Sequence, residues 1–239
     1  MAVETRSPSH LTELIRGARC VLFDFDGPIC RLFAGLSARQ VARDQERWLA
    51  GQGMRETLHE WEWAKGDPHA VLIRLASQQG NSELVRELER RLTEQELLAV
   101  PGAGPTQHAD ALIRAWSAMG VRLAITTNNS PSAVRSYLRH WSLDGCFEPH
   151  VYGRDPEALD RLKPDPYQLK RALDAVGAAP AETLMIGDAP TDLAAARAAG
   201  VAFLGYARNE RKDLLLREAG AGQVVGSMEQ ILTVLRGLR

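Results

Sequence analysis

Cysteine is scarce in this chain: Cys20, Cys30 and Cys146 are odd in number, far apart and free of any C-x-x-C spacing. That excludes a disulfide framework or a zinc site and reads as free thiols in a reducing compartment. Lysine is nearly as scarce, with only Lys65, Lys163, Lys170 and Lys212 among the 29 cationic residues. A lysine in a chemically suggestive place therefore carries more information than an arginine would. No apolar run approaches the roughly 18 to 20 residues of a membrane span, and the opening MAVETRSPSH has no apolar signal core, so the expected address is cytoplasmic, with no membrane partner. Excess charge is missing too. Twenty-nine Lys and Arg against 30 Asp and Glu leave a net charge of -1, so no global field draws the protein to nucleic acid, and any phosphate binding must be local. With 20 Gly and 12 Pro in 239 residues, of which 45% are hydrophobic, the chain is neither low-complexity nor short of material for a core.

Short apolar runs alternate with longer amphipathic stretches from residue 101 onward, the pattern of a βαβ parallel sheet. Strands are expected at 21–24, 121–126, 149–152, 183–186, 201–204 and 223–225. Helix starts are marked by Ser130 before Pro131, Asp165 before Pro166, Pro190 after Ala189, and Ser227 with Gln230 as a capping box. Nearly 100 residues separate the first two strands, and that stretch reads as all helical. Segments 34–49, 54–63, 70–79 and 82–99 can each hold a helix, interrupted at Gly51/Gly53, at Gly66-Asp67-Pro68 and at Gly80-Asn81. A crossover needs only one helix, so the surplus predicts a small helical domain, residues 30–99, inserted into an α/β core of residues 1–29 and 100–239. The fold class is thus α/β, a doubly wound, Rossmann-like parallel sheet with an inserted all-helical domain, and 100–105 is the returning hinge.

Four segments could carry chemistry. Val21-Leu22-Phe23 runs into Asp24-Phe25-Asp26-Gly27, an apolar strand ending in two carboxylates where parallel sheets bind ligands, beyond their carboxyl edge. Met185-Ile186-Gly187 runs likewise into Asp188, with Asp192 one turn on. Four acids at one sheet edge repel unless a cation lies among them, and an all-oxygen set suits Mg²⁺ better than zinc. The same two later acids could instead cap their helix. Leu123-Ala124-Ile125 ends in Thr126-Thr127-Asn128-Asn129, where Thr127 could donate to a phosphoryl oxygen or simply close a strand before a turn. Lys163 sits before Pro164 and Pro166, which brace it as a surface lysine does not require. Together these are the parts of metal-assisted phosphoryl transfer.

In order and spacing the four segments resemble the haloacid dehalogenase superfamily over residues 20–235, specifically its phosphatases with a helical cap after the first strand, of the phosphoglycolate-phosphatase-like kind. The resemblance implies that Asp24 is the nucleophile and forms an aspartyl-phosphate, while Asp26 protonates the leaving oxygen and then activates water. It implies that Thr127 binds the transferring phosphoryl group, with Gly27 and Asn128 beside it, and that Lys163 stabilises the nucleophile and the phosphoryl charge. It further implies Mg²⁺ held by Asp24, Asp188 and the main-chain carbonyl of Asp26, with Asp192 supporting the site through water. The substrate would be a small phosphorylated metabolite and the protein a monomer or homodimer. Asp26 matches the branch that cleaves C–O–P bonds. Pro28 departs from the usual Thr or Val after Gly27 and removes an amide donor. A sugar phosphomutase of the same family, or a catalytically silent binding protein on the same fold, are the alternatives.

Other features weigh less. Arg39, Arg43 and Arg47 recur every four residues, but Asp44 and Glu46 between them suggest a solvated face. Trp48, Trp61 and Trp63 could wall a substrate or pack the helical domain. Arg31 and Cys30 follow the acidic loop and could touch substrate. His59-Glu60 does not extend to H-E-x-x-H, and Gly51-Gln52-Gly53 lacks both strand and third glycine, so neither a metalloprotease nor a dinucleotide site is indicated.

Overall fold

A computed structural model gives the structure, which describes residues 8–56 and 66–238. Six parallel strands form one sheet in the order β5-β4-β1-β6-β7-β8, with β1 Cys20–Phe23, β4 Arg122–Thr126, β5 Val151–Tyr152, β6 Thr183–Gly187, β7 Ala202–Tyr206 and β8 Val224–Val225. Each matches a run expected from the sequence to within a few residues. β1 is central, and all four of its residues are fully buried, which explains why it reads as an unbroken apolar run rather than an alternating one. Its side chains still alternate between faces. Val21 and Phe23 join a core with Trp116 and Phe147 on one side, and Cys20 and Leu22 join Leu169, Ala195 and Ala196 on the other.

The chain winds from β1 to β4 and β5 on one side and then to β6, β7 and β8 on the other. The order therefore reverses at β1, between β4 and β6, where such sheets bind ligands beyond their carboxyl ends. Phe23 lies level with both Ile125 and Ile186, so the residues just after β1, β4 and β6 emerge side by side.

Between β1 and β4 the chain leaves the sheet. Helices Ala38–Leu49, Pro68–Gln79 and Glu83–Ala99 pack around Val41, Leu49, Val71, Leu72, Leu75, Leu88 and Leu92, an apolar cluster that also takes in Leu159 and Leu162 from the loop before Lys163. Asp67 caps its helix by accepting from the His69 and Ala70 amides (2.9 and 3.2 Å), so the helix begins at Pro68. Ser82 caps the next through the Val85 amide. The first helix begins at Ala38 rather than near 34, because residues 32–34 form a separate short turn. At Gly51/Gly53 the helix widens and breaks only at Gly53, whose φ of 86° suits glycine. The helix expected at 54–63 lies beyond Glu56 outside the described residues, as do Trp61 and Trp63. Where the chain enters and leaves this layer, β2 Cys30–Arg31 pairs antiparallel with β3 Gly104–Pro105.

Helix Pro8–Gly17, which the sequence reading did not anticipate, packs beside the terminal helix Met228–Gly237 and adds Leu11 and Ile15 to the core. Among the described residues no helix is long and apolar enough to cross a membrane.

Candidate active site

Asp24 follows β1, Thr127 follows β4, Asp188 follows β6, and Lys163 comes from the loop before helix Tyr167–Val176; all four line one cavity of about 600 Å³ at the carboxyl edge of the sheet. The inserted layer supplies the opposite wall through Phe33, Pro68, His69 and Ile73. That volume accommodates a small ligand.

The centre is charged, and its side chains are buried. Lys163, only 2% exposed, donates to Asp24 Oδ1 at 2.8 Å, Asp192 Oδ1 at 2.5 Å and the Thr126 carbonyl at 3.0 Å. Asp24, Asp188 and Asp192 each bring a carboxylate oxygen within 4.8 Å of the others, so these three could hold a metal ion. Burial pushes Asp24 up to about 6; the Lys163 charge opposes this, and Asp192 and Asp188 reinforce it. Burial likewise lifts Asp188 to about 6 against the pull of Lys212. A buried group of hard oxygens that resists carrying all its negative charge is the donor set a small divalent cation relieves.

Asp192 has both its oxygens engaged. Oδ1 takes the Lys163 ammonium, and Oδ2 accepts from the Asp188 and Ala189 amides at 3.0 Å each. It is therefore a helix cap and a counter-ion for Lys163 at once, so the capping and site readings of this residue coexist. Gly187 lets it approach, since a Cβ there would sit 2.5 Å from that of Asp192. Asn128 lines the cavity, and its side chain grips the main chain of Lys163. Its Oδ1 accepts from the Lys163 amide at 2.8 Å and its Nδ2 donates to the Lys163 carbonyl at 3.1 Å, a two-point clamp that aims the lysine from behind. Thr127 Oγ1 donates to Asn129 Oδ1 at 2.9 Å and accepts from the Asn129 amide at 3.2 Å.

Asp26 is half-buried, and its Oδ1 accepts from the Leu32 amide at 2.9 Å. Burial raises its pKa despite that bond. The turn after it depends on Gly27, whose φ is +127° and whose missing Cβ would stand 2.4 Å from Asp188 Oδ2. The Gly27 carbonyl accepts from Thr106 Oγ1, and its amide donates to the Cys30 carbonyl at 2.7 Å. Gly27 thus makes room for Asp188. Gly27→Ala combines a forbidden φ with this clash, so thermal unfolding should show a loss of about 2 kcal/mol or more. An unchanged melting temperature would mean the loop is free to relax.

The sequence reading missed several residues. Lys212 Nζ meets Asp188 Oδ2 at 2.8 Å, and Arg208 lines the same cavity. Both follow β7, the strand beside β6, so the rule that ligand residues follow strand ends could have found them. His69, Glu96 and Arg154 had no local signal. Arg31 lies on the entry ribbon with an exposed side chain and Cys30 is buried beneath the acidic loop; neither lines the cavity. Arg39, Arg43 and Arg47 are exposed, and Arg47 pairs with Asp44.

Fold and site together define a doubly wound α/β protein with a helical insertion and an acidic, lysine-braced pocket at the switch point. The sequence matches the haloacid dehalogenase-like hydrolase family over residues 18–200, and the chain belongs to that family. It is 38% identical over 111 residues to a phosphoglycolate phosphatase of Rhodospirillum rubrum, a match spanning 45% of each chain. It is 24% identical over 196 residues to another from Aquifex aeolicus, covering 80% of this chain and 87% of the relative. Its structure resembles that of a haloacid dehalogenase family hydrolase from Deinococcus radiodurans solved with bound phosphate and sodium, with a TM-score of 0.59, 26% identity and coverage of 92% and 96%.

Proposed function

We propose that the chain is a Mg²⁺-dependent phosphatase of small phosphorylated metabolites, working in the cytoplasm through an aspartyl-phosphate on Asp24. The observation that carries this reading is the contact of Lys163 with Asp24 at 2.8 Å inside a cavity that Asp26 and Asp188 also line. Residues 30–99 act as the cap over that cavity, hinged where Cys30–Arg31 meets Gly104–Pro105. Asp24, Asp188 and the Asp26 carbonyl would hold Mg²⁺, which when bound supplies the positive charge that lets a carboxylate approach a phosphate dianion.

A carboxylate nucleophile needs shielding more than activation, because with a pKa of about 6 it is ionised at neutral pH. An Asp24 oxygen attacks phosphorus as the ester P–O bond breaks. Lys163 neutralises part of the charge gathered there, and the Thr127 hydroxyl donates to a phosphoryl oxygen. Asp26 gives its proton to the departing alkoxide, a task favoured by the raised pKa that burial confers. The Asp26 carboxylate then takes a proton from water, which attacks phosphorus, freeing phosphate and restoring Asp24.

Phosphate release from a panel of phosphomonoesters with Mg²⁺, beginning with 2-phosphoglycolate in view of the relatives' names, tests the reading. No turnover of any member would end it. Asp26→Asn separates the two half-reactions. Alkyl phosphates should lose about 10²- to 10⁴-fold in turnover, whereas p-nitrophenyl phosphate, whose leaving group needs no acid, should release about one equivalent of nitrophenol in a burst before stalling. A uniform loss with no burst would deny Asp26 both roles.

A further inference from the structure

Behind the cavity, Glu96 lies completely buried on the helix that returns from the insertion, and five hydrogen bonds converge on its carboxylate. Oε1 accepts from His69 Nε2, Asn129 Nδ2 and Arg154 Nη1, each at 3.0 Å. Oε2 accepts from the Ser130 amide at 2.8 Å and Arg154 Nη2 at 3.0 Å. Arg154, 1% exposed, also holds the Asn128 carbonyl at 2.8 Å, Thr93 Oγ1 at 2.8 Å and Glu89 Oε1 at 3.1 Å, while its amide donates to the Asn129 carbonyl at 2.9 Å. The main chain of residues 128–130, directly after Thr127, is therefore held at three points by Glu96 and Arg154, at Asn128 and Ser130 by the two charged side chains and at Asn129 by the Arg154 amide. The partners on the other side of that pair, His69, Glu89 and Thr93, all belong to the insertion.

A buried ion pair is a poor way to gain stability, since well-packed apolar residues of similar volume do as well or better. What it provides is direction: fixed oxygens and N–H groups that hold a polar loop in one conformation. We infer that Glu96 and Arg154 are positioning residues for phosphoryl transfer, setting the 127–130 loop from behind and tying its geometry to the inserted helices and to His69 at the cavity wall. This rests on the phosphatase reading.

The test uses the ester turned over fastest in the panel and three variants, with melting temperatures measured alongside. Glu96→Gln keeps the shape but weakens the grip on Arg154 and Ser130. It should lower kcat about tenfold or more with KM within about threefold, because small misplacement of a group acting on the reacting atoms is felt in the chemical step. Glu96→Leu combined with Arg154→Met removes both charges. It leaves the Ser130 amide, the Asn128 carbonyl and Glu89 without these partners, so it should melt below the wild type and keep the kcat deficit, whereas a purely structural pair would leave the kcat of the folded protein at the wild-type value. Asn129→Ala, which deletes the arm to Glu96 and with it the Oδ1 that accepts from Thr127 Oγ1, carries the same kcat expectation if the Glu96 variants do not fold. Recovery of wild-type kcat by the double variant, or a kcat for Glu96→Gln or Asn129→Ala within about twofold of wild type, overturns the inference while leaving the phosphatase reading intact. A wild type inactive on every ester removes both.

Discussion

Asp24→Asn is expected to abolish phosphate release, by about 10⁴-fold or more, while leaving the protein folded. The amide matches the carboxylate in size, so the packing after β1 is undisturbed, but it cannot form an acyl phosphate. The structure also indicates how stability should respond. Burial and the neighbouring acids hold Asp24 at about 6, above its ordinary 3.8. The folded state thus binds a proton at this group more tightly than the unfolded one, so in metal-free wild type Asp24 contributes a gain in stability as pH falls from about 7 towards 4. Asp188, at about 6 for the same reason, adds to that gain. Asp24→Asn keeps only the shares of Asp188 and Asp26, whose carboxyl is also raised by burial, so it should gain less stability on acidification, and at pH 7.5 it should be no less stable than wild type. Phosphate release comparable to wild type would remove Asp24 as the nucleophile. A melting temperature equally pH-dependent in both proteins would remove the electrostatic account of the site.

How much of this was readable beforehand follows from where each signal lies. Asp24 and Asp188 were legible because a buried parallel strand is a continuous apolar run, and the polar residue that ends it marks the carboxyl edge of the sheet. The same rule, applied to Tyr206 at the end of β7, would have pointed to Arg208 and onward to Lys212. Lys163 was legible through rarity and its two prolines. Its aim, however, is set by Asn128 from 35 residues away, and a side chain engaged with a distant main chain leaves no local mark. Glu96 shows the same limit more strongly. In sequence it is one more acid on the charged helix Glu83–Ala99, and only the fold brings Arg154 and Ser130 to it. The ribbon Cys30–Arg31 with Gly104–Pro105 is too short for any periodicity. Helix Pro8–Gly17 did carry a signal in Leu11 and Ile15, four apart, which becomes persuasive only once a core exists for them to face.

Lys163→Met should cost both activity and stability, and the two losses should separate with pH. Burial disfavours the Lys163 ammonium, but Asp192 and Asp24 outweigh it and hold its pKa above that of an ordinary lysine. Its stabilising contribution is therefore fully present below the ordinary value of 10.5 and constant across the neutral range. Methionine fills similar space and leaves two buried carboxylates without their cation, a change that costs about 3 to 5 kcal/mol. The cost should be largest near pH 7.5 and shrink near pH 5, where Asp24, no longer opposed by the lysine, takes up a proton more readily than in wild type. Melting temperatures of the two proteins should accordingly converge on acidification. Turnover should not recover with them. Phosphoryl charge developing at Asp24 would lack its fixed counter-charge, a loss of about 10³-fold or more, and a protonated Asp24 is no nucleophile at all. Lys163→Arg should rescue little, because a planar guanidinium cannot place one donor each on Asp24, Asp192 and the Thr126 carbonyl, as the tetrahedral ammonium does. A stability gap that stays the same at pH 5 and pH 7.5 would show that Lys163 acts by packing, and retained turnover in the methionine variant would show that the chemistry does not pass this residue.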